Sequence, residues 1–179
     1  MNYDYYTSNN NGQDDYGLKY IDHQGYGRIC KDYMIEFPPQ HQDRQPGMEY
    51  LMTPRPIFNN PYYRAAGKLY NKVAIITGGD SGIGRAVAVA FVKEGAAVVI
   101  PYYDEHEDAE ETKDFIEKMG GRCLLLAGDV KDTSFCDKVV EETMKTFGKI
   151  DILVNNAGVQ YQQKSLLDIT DEQFDLTMK

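Results

Sequence analysis

Residues 72–84 read Lys-Val-Ala-Ile-Ile-Thr-Gly-Gly-Asp-Ser-Gly-Ile-Gly, and this stretch decides the fold. Val73–Ile76 is a continuous apolar run, which is typical of a short strand covered on both faces of a sheet. A glycine-rich turn follows the run directly. A helix is predicted after the turn and ends near Gly95, because apolar residues recur at helical spacing at Ile83, Val87, Ala90 and Phe91.

The glycine-rich turn has the chemistry of a phosphate-binding loop. Backbone N–H groups at the start of a helix, together with the positive end of the helix dipole, hold a pyrophosphate well. A Cβ at Gly82 or Gly84 would hinder either the approach of the ligand to the backbone or the packing of helix on strand. The alternative is a glycine turn required only for tight packing. No Gly-Lys-Ser/Thr follows, which excludes the loop of phosphate-binding NTPases.

Strands and helices alternate along the rest of the chain. Further strands are predicted at 98–100, 123–127 and 150–154. One helix is predicted over 105–119, with a buried stripe of Thr112, Phe115, Ile116 and Met119. Another follows Asp132 as N-cap, with one face formed by Cys136, Val140, Thr143 and Phe147, and the capping box 170–173 opens a last one. This alternation predicts an α/β fold: a Rossmann-type doubly wound parallel sheet, incomplete, with strand order 3-2-1-4.

A second informative stretch is Asp151-Ile-Leu-Val-Asn-Asn-Ala-Gly158, a strand that ends in a polar tip of small residues. The two motifs together resemble the Thr-Gly-x3-Gly-x-Gly and Asn-Asn-Ala-Gly signatures of the short-chain dehydrogenases/reductases. The resemblance covers residues 37–179. Pro-Pro-Gln-His-Gln-Asp-Arg-Gln-Pro at 38–46 is similar to the leader of one bacterial branch of that family, the general-stress and YghA-like enzymes.

The resemblance implies an oxidoreductase that transfers hydride between NAD or NADP and an alcohol/carbonyl (CH–OH) substrate. Asp129 is similar to the family's aspartate that hydrogen-bonds the adenine ring, and a turn or capping aspartate is the alternative. The Asn-Asn-Ala-Gly tip both ties strands together and lines the cofactor site in the family. The expected contacts with the dinucleotide are Gly78, Asp80, Ser81, Gly82, Ile83, Gly84, Tyr102, Asp129, Val130, Asn155, Ala157 and Gly158.

The choice between NAD and NADP stays open at this point. An acid at the end of the second strand usually holds the ribose of NAD, and a basic residue accommodates the extra phosphate of NADP. By spacing, that position is Tyr102, which Tyr103 and Asp104 follow. Ser81 stands where NADP-using members often have Arg or Lys, and Asp104 lies two residues beyond the usual acid.

Catalytic residues are not expected in this stretch of chain. The family relies on a Tyr-x-x-x-Lys pair, a serine and an asparagine, and no Tyr-x-x-x-Lys occurs in the 179 residues. Tyr161-Gln-Gln-Lys164 does not have the family's spacing, and an i, i+3 pair in a loop does not establish that both side chains share one face. We therefore expect a chain truncated before the catalytic Ser, Tyr and Lys and inactive by itself. The competing hypothesis is a catalytically inactive module that binds a dinucleotide or a partner.

Three segments are predicted. Residues 1–36 are a Tyr/Asn/Gly-rich tail expected to be disordered, because few of them are aliphatic. Residues 37–71 are a Pro-rich extended arm, and 72–179 form the truncated dinucleotide-binding domain.

The acidic run 104–111 is expected to be a solvated helix N-terminus. The edge of the fourth strand predicts association with another chain, including a second copy.

Charge and composition exclude several classes of function. A net charge of −9 argues against nucleic acid or an anionic membrane as partner, because both would repel the protein. The N-terminus is neither basic nor apolar, so a cytoplasmic location is expected. The cysteines are odd in number and widely spaced, which favours free thiols: Cys30, Cys123 and Cys136. The histidines have no partner at ligand spacing, so no metal site is expected: His23, His41 and His106.

Overall fold

The structure is a computed structural model that describes residues 39–178. The predicted disordered tail, with His23 and Cys30, lies outside the described residues. The strands are β1 (Val73–Ile76), β2 (Ala97–Tyr102), β3 (Cys123–Ala127) and β4 (Ile152–Val154). The α-helices are α1 (Gly82–Lys93), α2 (His106–Lys118), α3 (Thr133–Phe147) and α4 (Asp171–Met178), and short 3-10 turns span Glu49–Leu51 and Leu166–Asp168.

The four strands form one parallel sheet in the order β3-β2-β1-β4, which confirms the predicted fold class and strand order. In the register, Ala74 of β1 lies opposite Val98 of β2 and Ile152 of β4. All residues of β1 and β2 are buried, as a continuous apolar run requires when both faces of a sheet are covered.

Successive residues of β1 point to opposite faces of the sheet and so define two core layers. On one face, Ala74 and Ile76 contribute to a cluster with residues of β2, α1 and α2, namely Ala88, Val89, Val92, Val98, Ile100 and Ile116. On the other face, Ile75 packs with residues of β2 and α3, namely Val99, Phe135 and Val139. Helices therefore cover both faces of the sheet, as in a doubly wound fold.

The predicted apolar face of α1 is partly wrong, although Val87 and Phe91 are half-buried and pack against the core as expected. Ile83 is 77% exposed and Ala90 is exposed, whereas the buried face is formed by Gly84, Arg85, Ala88, Val89 and Val92. The cause is the close contact of Gly84 with the turn, where a Cβ on Gly84 would overlap the carbonyl oxygen of Gly78. That contact fixes the rotation of the helix about its axis, so the positions one turn apart from Gly84 face the sheet.

The predicted buried faces of α2 and α3 are also partly wrong. In α3 the buried residues are Phe135, Val139 and Thr143, and Cys136 and Val140 are exposed. Phe135 lies so close to Gly128 that a Cβ there would overlap its ring, and this contact sets the helix rotation. In α2 the buried set is Asp108, Ala109, Thr112 and Ile116, whereas Met119 is exposed.

The segment before β1 is irregular apart from its 3-10 turn and lies against α1 and α2. We call residues 42–71 the arm. The Asp108 carboxylate in α2 accepts the backbone N–H groups of Glu49 (2.7 Å) and Tyr50 (2.9 Å). Phe58 meets Phe115 edge to face, with ring centroids 5.0 Å apart. The arm is thereby bound to the first turn and the middle of α2. The boundary between the arm and the domain stays a prediction.

The far end of the arm is bound by Glu94, directly after α1. Its carboxylate accepts the Tyr63 hydroxyl and the N–H groups of Ala66 (3.1 Å) and Lys68 (2.8 Å). These hydrogen bonds, the Tyr63 hydroxyl first among them, lower the pKa of Glu94 to about 2. The carboxylate is therefore ionised throughout the neutral range and stays a strong acceptor for the arm.

The acidic run 104–111 lies at the start of α2 and has a solvated face, as its composition predicts, formed by Asp104, Glu107, Glu110 and Glu111. The other two acids, Glu105 and Asp108, are buried, which the composition does not predict. Arg55 of the arm forms two hydrogen bonds to Glu111, of 2.9 and 2.7 Å, which lower the pKa of that carboxyl. Part of the run therefore contacts the arm, through ion pairs with Arg44 and Arg55. Within residues 39–178, no helix has the length and apolar character needed to cross a membrane.

Candidate functional site

The two glycine-containing motifs meet at the carboxyl edge of the sheet, and Asn156 joins them. Its side-chain Nδ2 donates to the carbonyl oxygens of Thr77 and Gly78, at 3.0 Å each. The Thr77 hydroxyl oxygen accepts the N–H groups of Asn156 and Ala157, also at 3.0 Å. The end of β4 is thereby tied to the start of the turn after β1. The bridging role expected of the Asn-Asn pair is thus carried by Asn156, whereas Asn155, the asparagine named as a cofactor contact, is exposed.

Glycine is required at positions 82 and 84 of the turn for different reasons. A Cβ on Gly84 would lie 2.6 Å from Nδ2 of Asn156 and overlap the carbonyl of Gly78, so only glycine fits between the strand ends. Gly82 has a φ of +52°, a conformation that L side chains rarely adopt, and nothing lies within 4 Å of a Cβ built on it. The turn therefore offers bare backbone and open space at the start of α1, which fits a phosphate group.

A buried arginine directly after the turn forms a hydrogen bond to the backbone of the turn. Arg85 is only 1% exposed, and its Nε donates to the carbonyl oxygen of Asp80 at 3.0 Å. Nη2 donates to the carbonyl oxygen of Asp108 at 2.8 Å. Nη1 lies 2.6 Å from Oε1 of Glu49, the carboxylate of the arm. The other oxygen of Glu49 accepts the N–H of Gly82.

Sequence reasoning missed both Arg85 and Glu49. Arg85 directly follows Gly-Ile-Gly, on the face of the helix that is buried. A charged residue at such a position is a sequence signal that could have predicted it. A single glutamate in a Pro-rich segment without periodicity carries none, because its partners are more than 30 residues away in sequence.

Asp80 is the one buried carboxyl in the turn itself. Burial raises its pKa from 3.8 to about 6, with the nearby acids Glu105 and Asp108 adding to the rise, against hydrogen bonds from its own backbone and Ser81. The folded protein thus holds the Asp80 proton more tightly than the unfolded chain does. Stability from this group is greatest at low pH and falls as the pH rises from about 4 to about 6.

Asp80→Asn is expected to raise the free energy of unfolding by about 1–3 kcal/mol at pH 8 and to change it little at pH 4. Asparagine keeps the shape of the protonated acid and removes the cost of burying a charge. Urea denaturation at the two pH values measures the difference. Asp114→Asn, on the exposed face of α2, is the control and should change the free energy by under about 0.5 kcal/mol at both. A gain for Asp80→Asn that is equal at both pH values would contradict the assignment.

The predicted ribose position, Tyr102, is buried. Its hydroxyl lies 2.9 Å from Nδ1 of His106, and burial raises its pKa. His106, expected to be only solvated, thus has a partner on β2. The exposed groups after β2 are Tyr103 and Asp104, and the carboxylate of Asp104 forms an ion pair with Arg44 of the arm.

The remaining predicted residues lie along the same edge of the sheet. Oδ1 of Asp129 accepts the N–H of Lys131 at 3.0 Å and its carboxylate pairs with the Lys131 ammonium at 3.3 Å, so it forms a turn as the alternative interpretation expects. Val130 is exposed at the surface. The tip after β4 is exposed at Asn155, Ala157 and Gly158.

The comparisons with known proteins identify the family. Residues 72–179 match the family described as short chain dehydrogenase. The chain belongs to the short-chain dehydrogenase family. General stress protein 39 of Bacillus subtilis (strain 168) is 56% identical over 148 residues, 83% of this chain and 52% of that protein. Glucose and ribitol dehydrogenase of Daucus carota is 43% identical over 146 residues, 78% of this chain and 50% of that protein.

A solved structure has a similar fold over the described core. Carveol dehydrogenase from Mycobacterium avium, in complex with NAD, is 28% identical with a TM-score of 0.60, over 63% of this chain and 44% of that one. The chain spans about half the length of the curated relatives it matches. The predicted resemblance to the short-chain dehydrogenases is confirmed.

The structure also shows where the discarded tyrosine–lysine pair lies. Tyr161 and Lys164 are in the irregular segment between β4 and the 3-10 turn Leu166–Asp168, so no helix places them on one face. Among residues 39–178, no group of three histidine, cysteine, aspartate or glutamate side chains is arranged to hold a metal ion.

Proposed function

We propose that this chain binds a nicotinamide dinucleotide as the coenzyme-binding part of an oxidoreductase that acts on a CH–OH group. The single observation that carries the proposal is the turn at Gly78–Gly84, which Asn156 holds against the tip of β4. The relatives named as glucose and ribitol dehydrogenase and as carveol dehydrogenase support an alcohol/carbonyl substrate class.

In this proposal the pyrophosphate lies over Gly78–Gly84. The first N–H groups of an α-helix have no intrahelical partner, so those of Ile83 and Gly84 are available to phosphate oxygens. Asp129 and Val130 contact the adenine, and Ala157 and Gly158 leave room for the adenosine. The nicotinamide, when bound, supplies the hydride acceptor or donor, and the chain's own residues bind and orient it.

The charges after β2 favour NAD over NADP. A ribose hydroxyl can donate to the Asp104 carboxylate, which Arg44 holds at the surface. The extra phosphate of NADP would instead meet Asp104 and Glu105 with one arginine to balance them. We therefore propose NAD as the coenzyme, with Asp104 rather than Tyr102 at the ribose.

Gly82→Val is expected to abolish binding of NADH while the chain keeps its fold. The variant forces a branched side chain into the left-handed region, at about 1–2 kcal/mol, and places it where the pyrophosphate would lie. Isothermal titration calorimetry with NADH measures the loss, and titration with NADPH should give at least about tenfold weaker binding to the unsubstituted chain.

Gly120→Val is the matched control for this experiment. Gly120 also has a positive φ, +81°, with nothing within 4 Å of a Cβ, but it lies at the end of α2. Both variants should lose similar stability, and only Gly82→Val should lose binding. Parent affinity in the folded Gly82→Val variant would refute the placement of the pyrophosphate.

A further inference from the structure

Glu49 is a buried carboxylate that the arm inserts beside the glycine-rich turn. It is 3% exposed and belongs to the 3-10 turn Glu49–Leu51. A buried carboxylate is costly unless every oxygen is paired. Here one oxygen lies 2.6 Å from Nη1 of Arg85 and the other accepts the N–H of Gly82.

The Arg85–Glu49 pair fixes two backbone groups of the turn, the carbonyl oxygen of Asp80 and the N–H of Gly82. The carbonyl oxygen of Asp80 accepts Nε of Arg85 and, at 2.6 Å, the hydroxyl of Thr112. The N–H of Gly82 donates to Glu49. Arg85 and Glu49 are in turn paired with each other, so the arm and α1 fix the conformation of residues 80–82 together.

We propose that Glu49 is a positioning residue for the dinucleotide, through which the arm fixes the coenzyme-binding shape of the turn. This inference rests on the function proposed above. The Glu49 carboxylate accepts the N–H of Gly82, and this hydrogen bond keeps Gly82 in its left-handed conformation. The next N–H groups, those of Ile83 and Gly84, are then aimed at the ligand.

The carboxylate of Glu49 is placed to support a bound phosphate rather than to compete with it. Its charge is paired with the buried guanidinium of Arg85 and with the N–H of Gly82, which reduces the repulsion that it exerts on a dinucleotide. Glu49 contacts Gly82 only at its N–H. The space that a Cβ on Gly82 would occupy is empty, and an anion that competed with the dinucleotide would occupy that space instead.

Docking of the arm does not depend on Glu49 alone. Asp108 accepts the backbone N–H groups of Glu49 and Tyr50, which any side chain at position 49 leaves in place. Glu94 binds the far end of the arm. A substitution of the Glu49 side chain is therefore expected to leave the arm bound and to act on the turn.

The test compares Glu49→Gln with Glu94→Gln in the full chain. Glutamine keeps the shape but removes the charge that pairs with Arg85 and strengthens the bond from Gly82. We expect Glu49→Gln to weaken NADH binding about tenfold by calorimetry and to shift the Gly82 amide proton upfield in the NMR spectrum. Glu94→Gln loosens the arm far from the turn and should change neither the NADH affinity by more than about twofold nor the Gly82 amide.

Each outcome is decisive. An unchanged Gly82 amide in Glu49→Gln, or equal losses of affinity in the two variants, would overturn the positioning role. Tighter binding in Glu49→Gln would show that Glu49 competes with the dinucleotide, which would also overturn it. Absence of NADH binding by the unsubstituted chain would refute the proposed function and the coenzyme role together, whereas a shifted Gly82 amide would then still locate the Glu49 contact.

Discussion

Arg85→Leu is expected to lower the free energy of unfolding by about 3–5 kcal/mol. The guanidinium is buried and lies between the carboxylate of Glu49, at 2.6 Å, and the carboxylate of Asp108, at 3.8 Å. Leucine removes the positive charge and leaves the buried Glu49 carboxylate with only the N–H of Gly82, and it frees the carbonyl oxygen of Asp80 from its Nε donor. Urea denaturation followed by circular dichroism measures the loss.

Lys145→Leu is the control for Arg85→Leu. Lys145 pairs with Glu142 at 3.1 Å on the surface of α3, and its side chain is exposed to water. Exposed pairs contribute little, so this variant should lose under about 1 kcal/mol. Equal losses of unfolding free energy in the two variants would mean that the buried Arg85 pairs stabilise the protein no more than an exposed pair does. The turn would then be stabilised by its packing alone.

Strand–turn–helix order could be read from the sequence because its determinants are local. The apolar run Val73–Ile76, the glycines and the spacing of apolar side chains all lie within about one helical turn of the residues they govern. The rotation of each helix could not be read in this way. It is set by contacts such as Gly84 with the carbonyl of Gly78 and Phe135 with Gly128, which only the folded chain brings together.

The candidate site shows the same division. The motif predicted the position of the turn and of the tip after β4, but not which asparagine bridges them. Strand alternation sends Asn155 to the surface and Asn156 to Thr77 and Gly78. Arginine and carboxylate contacts from the arm were invisible because Arg44 and Glu49 lie 33 to 61 residues from their partners. The dinucleotide contacts themselves stay a prediction.

The isolated chain is expected to self-associate through the exposed edge of β4. Among the described residues, β4 pairs only with β1, and its other edge has no strand beside it. Leu153 in the middle of β4 is 59% exposed. An unpaired edge with an apolar side chain is a template for another strand. Large apolar side chains after β4 are also exposed, namely Leu166, Leu167, Phe174 and Met178.

Size-exclusion chromatography with light scattering should therefore give dimers or larger species that dissociate on dilution. Leu153→Lys is expected to shift the population towards monomer, because a charge on an edge strand opposes strand addition. Leu167→Lys, at an apolar position outside the strand that is even more exposed (93%), is the control and separates edge pairing from non-specific hydrophobic association. Addition of the second half of a relative such as general stress protein 39 should compete for the same edge. A monomer that unfolds cooperatively without such an addition would contradict the prediction.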